Sequence, residues 1–263
     1  MANTINGVYV TYMYPFQFIV SGNETINITL EEINSLTYDH SLLHRIVGKV
    51  TNCYKNKTIE YLVCGDGALG IQSNYGLSRD DMLLHYNDLL CKLYLGGINV
   101  DAITPRDITS GKIYESKSIW PVSFGDSLNS HLHAELRMRI VGVTDAIILY
   151  KAEDRTININ RLKSAIERGT KIVNSVPNLS TYHLLQGITE ITYSSWSSAL
   201  TYLWIIVEEI TDYLWEKEVI EKVIGNSANK RKELLKDTRT YTMAVKQEFL
   251  LQIGIIDTSL YDA

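Results

Sequence analysis

Between residues 196 and 214 the chain permits only one kind of structure. Trp196, Leu200, Leu203, Val207, Ile210 and Leu214 recur at alternating steps of four and three, the spacing that lines one face of an α-helix. At its middle, Trp204, Ile205 and Ile206 spread apolar surface nearly all round. Such a helix needs neighbours on more than one side, so this part is expected to be a bundle that self-associates. A second helical segment is read from Asn229 to Phe249, ending near Gly254. Asp257-Thr258-Ser259 then has the pattern of an N-cap opening a third helix, and the sequence stops at Ala263. The bundle is expected to be incomplete within this sequence.

Upstream, the first half reads as strand-rich. Val8 to Val20 is β-branched and aromatic, with Pro15 marking an edge or bulge. Arg45–Thr51 and Thr58–Cys64 read as strands joined through Tyr54-Lys55-Asn56-Lys57. Ser78 with Asp80 and Asp81 opens a helix that Gly96-Gly97 closes. Ile98 to Trp120, cut by Pro105 and Gly111, suggests short strands and loops. His131–Ile140 alternates strictly, and Asp145–Lys151 follows as a second strand. A helix over Asn160–Val173 is capped by Asn158 or Asn160. Pro177 marks a boundary, beyond which everything reads helical. The expectation is an α+β protein with a mixed domain over residues 1–176 and an all-α domain over 177–263.

Composition sets limits on function. The net charge of −5 removes a global basic field, so nucleic-acid contact would need a local patch. Cys53, Cys64 and Cys91 are odd in number and lack metal-ligand spacing. They are expected to be buried free thiols in a reducing, cytoplasmic setting. The apolar run Ala199–Val207 is far too short to span a membrane, and the N-terminus lacks a signal-peptide pattern.

Several groups are chemical candidates. His131, His133 and Glu135 would share a strand face suited to zinc or iron, but Arg137 and Arg139 on that face would repel a cation. The same row could hold an anion, or simply be a solvated face. Gly65-Asp66-Gly67 lacks the residues of a phosphate loop and reads as a turn. No serine-hydrolase elbow, zinc-protease helix or paired Cys–His nucleophile is evident. No cofactor is expected, and no catalytic residue is assigned. Lys232, Lys236, Arg239 and Lys246 would fall near one helical face, with Leu234, Thr238, Tyr241, Val245 and Phe249 opposite. They are the candidate RNA-phosphate contacts. The competing reading pairs them with the acidic residues Glu208, Glu209, Asp212, Glu216, Glu218 and Glu221.

A family resemblance attaches to the same region. It rests on the aromatic helix Trp196–Glu208 with its acidic end, the following Arg231-Lys232-Glu233-Leu234-Leu235, and the closing Leu250-Leu251-Gln252-Ile253-Gly254. By this pattern Ser195–Leu251 resembles a HEPN domain, a helical bundle of many bacterial defence and toxin–antitoxin proteins. The resemblance implies a toxin-type or antiviral defence protein acting on RNA and dimerising through its helices. Nuclease members carry Arg, four to six residues, then His on a late helix, and two chains form a composite ribonuclease site. Here no histidine follows His183, so that motif would have to lie beyond Ala263, or the domain is non-catalytic. Arg79 and His85 match the spacing literally but lie outside the resembling region and read as an ordinary pair. The contrasting expectation is a non-catalytic scaffold that senses a ligand or partner.

Overall fold

The computed structural model describes residues 7–14, 17–22, 44–115, 117–121 and 156–261. The row His131, His133, Glu135, Arg137, Arg139 lies outside the described residues, as does the strand expected at Asp145–Lys151. The chain divides into two compact units, 1–171 and 172–263, described separately below.

In the first unit, six antiparallel strands form one sheet. They are β1 (Gly7–Tyr12), β3 (Ile46–Tyr54), β4 (Lys57–Cys64), β5 (Ala68–Gln72), β6 (Thr109–Tyr114) and β7 (Ser118–Pro121), in the order β3-β4-β5-β1-β6-β7. The sheet then closes on itself. Ile46 N–H donates to the Lys117 carbonyl at 2.7 Å and Ile119 N–H to the His44 carbonyl at 3.0 Å. These bonds flank an antiparallel bridge between Arg45 and Ser118. Closure removes both free edges and makes a small barrel. Its interior draws on every strand: Val8, Val10, Tyr12, Ile46, Leu62, Cys64, Ala68, Ile113 and Ile119 cluster together. The alternating partners Tyr61, Val63, Leu69 and Ile71 are also buried, on the outer face.

The turn between β3 and β4 is the tight connection expected. Lys55 and Asn56 both take positive φ, 46° and 63°, which matches a type I′ hairpin. Val8–Val20 does not make one strand: after β1, the segment β2 (Phe18–Val20) leaves the barrel and pairs in parallel with β8 (Thr156–Asn158). Met13 N–H donates to Gly67 O and Ile19 N–H to Gly65 O, so the crossing chain satisfies its backbone on the Gly65-Asp66-Gly67 turn.

Helix α1 (Arg79–Leu95) covers the barrel's outer face. Ser78 caps it, its Oγ accepting from Asp81 N–H at 3.1 Å. Tyr86 fixes the contact: its hydroxyl accepts from Ile71 N–H at 3.1 Å and lies 2.7 Å from the Tyr9 carbonyl. One backbone donor and one acceptor of the sheet are thereby tied to the helix. Leu89 to Leu93 are buried without interruption, because α2 (Ile159–Ser175) covers α1 from outside. Asn158 caps α2, accepting from Asn160 N–H at 2.8 Å. The two helices cross at glycines: a Cβ on Gly169 would sit 1.9 Å from the Lys92 carbonyl oxygen, and one on Gly96 2.1 Å from that of Ala165.

The second unit is helical. It contains α3 (Thr181–Thr192), α4 (Trp196–Trp215) extended by a π-turn at Glu216–Ile220, α5 (Ala228–Leu235), α6 (Met243–Gln252) and α7 (Thr258–Tyr261). Asp257 stands just before α7, as its cap pattern requires, and accepts from Ser259 Oγ. The protein is therefore α+β. Among the described residues no helix is long and apolar enough to cross a membrane.

One expectation about these helices is corrected. Asn229–Phe249 is not one helix, because Asp237 accepts from Arg239 N–H and Thr240 Oγ1 and turns the chain between α5 and α6. The apolar seam of α4 is covered only in part: Leu203, Ile210 and Leu214 are half-buried, while Trp196, Leu200 and Val207 stay exposed. Helix α3 packs on Tyr202 and Leu203, where Gly187 touches Leu203 so closely that a Cβ would come within 2.6 Å, and Ala199 and Ile206 are buried on α4.

Gly169→Ala is expected to destabilise the first unit by at least ~2 kcal/mol, because the obstacle is a backbone carbonyl that cannot rotate away. Urea unfolding of the variant, with loss of the wild-type midpoint, is the check.

Candidate functional site

Three features of the structure have the chemistry to act: a buried polar network under α1, a His–Asp pair at one end of the barrel, and the open surface of α4.

The network joins β3 to α1. Lys92 Nζ donates to Asp88 Oδ2 at 2.6 Å, Asn52 Oδ1 at 2.9 Å and the Cys53 carbonyl at 2.9 Å. All three ammonium donors are thus used. Asn52 Nδ2 donates to the same Asp88 oxygen at 2.7 Å. Asn52, Asp88 and Lys92 are each at most 3% exposed. Nearby, Tyr61 donates to the His85 carbonyl at 3.0 Å, and burial with the Asp88 carboxylate raises its phenol well above the ordinary range. A fully paired ammonium inside a dry interface is suited to fixing register rather than to proton transfer.

His85 differs from this network. It is 5% exposed, and its Nδ1 has no hydrogen-bond partner. Its ring meets Tyr54 edge-on at 5.2 Å. Burial holds its pKa below the ordinary 6.5, opposed by the Asp88 carboxylate. Arg79, six residues earlier, is used elsewhere: its guanidinium donates to the carbonyls of Pro105 and Ile108. Arg79 is thus a strut for the loop before β6, while His85 is enclosed against the β3–β4 hairpin.

At the barrel end, His44 Nδ1 lies 3.7 Å from Asp66 Oδ2, with both side chains almost wholly buried. The imidazole packs on Trp120 at 4.5 Å. Cys64, at the start of the same turn, is a poor nucleophile because burial and the Asp66 charge push its thiol well up. Cys91 is raised by burial to about 12. Cys53 is exposed, contrary to expectation, since it sits on the solvated side of the projecting β3–β4 hairpin. Among the described residues no group of His, Cys, Asp and Glu could hold a metal ion.

The four candidate RNA contacts are distributed over two helices and the turn between them. Lys232 is on α5 and Lys246 on α6, with Lys236 and Arg239 in the connecting segment. Three of them face carboxylates: Lys236 pairs with Glu216 at 3.0 Å, Arg239 with Asp237 at 3.1 Å and Lys246 with Asp212 at 2.6 Å. Two of these pairs, Lys236–Glu216 and Lys246–Asp212, are those of the competing reading, while the Asp237 partner of Arg239 comes from the turn that divides α5 from α6. Lys246 and Asp212 help seat α6 on α4, beside Trp215, whose ring touches Tyr241 and Phe249 and whose Nε1 donates to the Leu235 carbonyl.

On α4 itself, Trp196, Leu200, Trp204 and Val207 stay 65, 67, 48 and 39% exposed. Trp204 Nε1 donates to Glu208 Oε1 at 2.8 Å, holding that carboxylate along the stripe. His183, the last histidine of the chain, is at the start of α3, its Nδ1 2.9 Å from Ser180 Oγ and its ring stacked on Tyr202. Comparison of the chain with protein-family models, with curated proteins and with solved structures finds no match.

Asp88→Ala is expected to cost about 3 kcal/mol by stranding the Lys92 charge, with little salt dependence. Adding Lys92→Met should recover most of the loss, as read by denaturant unfolding of both variants. His85 gives a pH dependence of definite sign. Its folded pKa lies below the unfolded 6.5, so the unfolded chain binds the proton more tightly. The stability from this site is complete above about 6.5 and falls as pH drops below it. A His85→Gln variant should show a shallower loss between pH 7 and pH 5 in the same assay.

Proposed function

We propose that this protein acts by binding rather than by catalysis, as a scaffold whose helical unit joins copies of the chain. The observation that carries this reading is the row of exposed large apolar side chains on α4. Single exposed apolar residues are ordinary, but a contiguous stripe with two tryptophans is typical of an interaction surface. The barrel unit, with its edges closed, then serves as a rigid carrier. The three free thiols favour a reducing, cytoplasmic setting.

A second reading, a HEPN-type protein acting on RNA, is favoured by one specific feature. Lys230 and Arg231 are exposed and Lys232 half-buried on successive positions of α5, leaving cations where Lys236, Arg239 and Lys246 are already paired. RNA contact at this point would be electrostatic and strongly weakened by salt.

Sedimentation of the full chain over a hundredfold concentration range tests the self-association that both readings expect, and RNA binding separates them. The scaffold reading expects concentration-dependent self-association that persists without RNA. The RNA reading expects oligonucleotide binding that weakens with salt and is lost in a Lys230→Glu/Arg231→Glu variant. A monomer at all concentrations would count against the scaffold.

A further inference from the structure

We infer that the occupant of the α4 stripe is the same stripe of a second copy, with the two α4 helices antiparallel about a two-fold axis near residue 202. The inference rests on the self-association proposed above and adds its geometry.

The first argument is area. The four stripe side chains, with the exposed Ile191 and Tyr193 just before α4, leave roughly 700 Å² open per chain, close to the ~800 Å² per partner of a standard interface. The stripe together with these two flanking side chains thus approaches the size that a dimer needs. It is also bare only in the N-terminal half of α4: further along, α6 covers the helix around Thr211 and Trp215.

Charge decides the direction. Helix α4 has no acidic residue in its first turn, no basic residue in its last, and no side-chain cap from Ser195. Its start is therefore a bare positive dipole end, while Glu208, Glu209 and Asp212 crowd its second half. Parallel pairing would set Glu208 against Glu208 along the contact. Antiparallel pairing about residue 202 sets Leu200 against Trp204 and Trp196 against Glu208. Each uncapped helix start then receives the carboxylate that Trp204 already holds along the stripe. An isologous contact of this kind closes at two copies.

The test uses the full chain. Leu200→Glu/Trp204→Glu should give a monomer with unchanged far-UV circular dichroism, both positions being on the surface. Glu208→Gln should keep the fold and weaken the dimer several-fold. A nitroxide at Lys217→Cys, with Cys53→Ser removing the exposed thiol, reads the direction. At 1.5 Å per residue the antiparallel pair places the two labels about 45 Å apart, against under ~20 Å for a parallel pair. A wild-type chain that stays monomeric overturns self-association itself. A dimer that survives Leu200→Glu/Trp204→Glu, or milder Leu200→Gln/Trp204→Ser substitutions should the charged pair misfold, leaves self-association standing and overturns this interface. A short label distance overturns the antiparallel arrangement alone.

Discussion

The first unit depends on the hydrogen bonds that close its sheet. Six strands contribute the interior cluster, and each supplies only one to three side chains to it. An open sheet with so thin an inner face would leave that face wet and two edges unpaired. The bonds Ile46 N–H to Lys117 O and Ile119 N–H to His44 O bring β3 against β7, and only then is the interior shielded from all sides. Small residues make the closure possible: a Cβ on Gly70 would sit 2.7 Å from Ile119 and 2.8 Å from Val8. Closure also puts His44 beside Asp66 and Trp120, so the polar end of the barrel is a product of the same event.

With the barrel closed, its outer face has to be covered, and α1 does this at the cost of burying polar groups. Asn52, Asp88 and Lys92 satisfy one another, and Tyr86 binds backbone groups of β1 and β5. These bonds are directional where apolar contact is not, so they hold α1 in one register on the sheet. The close crossing of α1 and α2 at Gly96 and Gly169 follows, since the second helix has a fixed surface to pack on. His85, left with an unpartnered Nδ1 in this layer, introduces a pH sensitivity beside the paired network of Asn52, Asp88 and Lys92.

The helical unit is built on the opposite economy. Trp215 gathers Tyr241, Phe249 and the Leu235 carbonyl around the end of α4, while Gly187 lets α3 lie close along its middle. Acidic α4 and basic α5–α6 neutralise each other through Lys236–Glu216 and Lys246–Asp212. These contacts leave two kinds of surface open: the apolar row Trp196, Leu200, Trp204 and Val207 on α4, and the cations Lys230 and Arg231 on α5.

Local patterns in the sequence determined much of this chain: the Lys55-Asn56 hairpin, the caps at Ser78 and Asn158, the start of α7 after Asp257, the Gly65–Gly67 turn, the span of α1 and the helical character beyond Pro177. Each depends on side chains acting on backbone within a few residues, so each is readable in order along the chain. Tertiary structure decided the rest. Pairing of β3 with β7 joins residues more than seventy positions apart, and no local signal announces it. The seam of α4 was legible as apolar, but which side is buried depended on where Gly187 permits contact. The four cations were readable either as one stripe or as partners of the acids before them, and the turn at Asp237 with the packing of α6 on α4 decided for pairing in three of them. The amphipathic period identifies a helix with apolar surface to cover; only the arrangement of its neighbours fixes which part of that surface is left for another molecule.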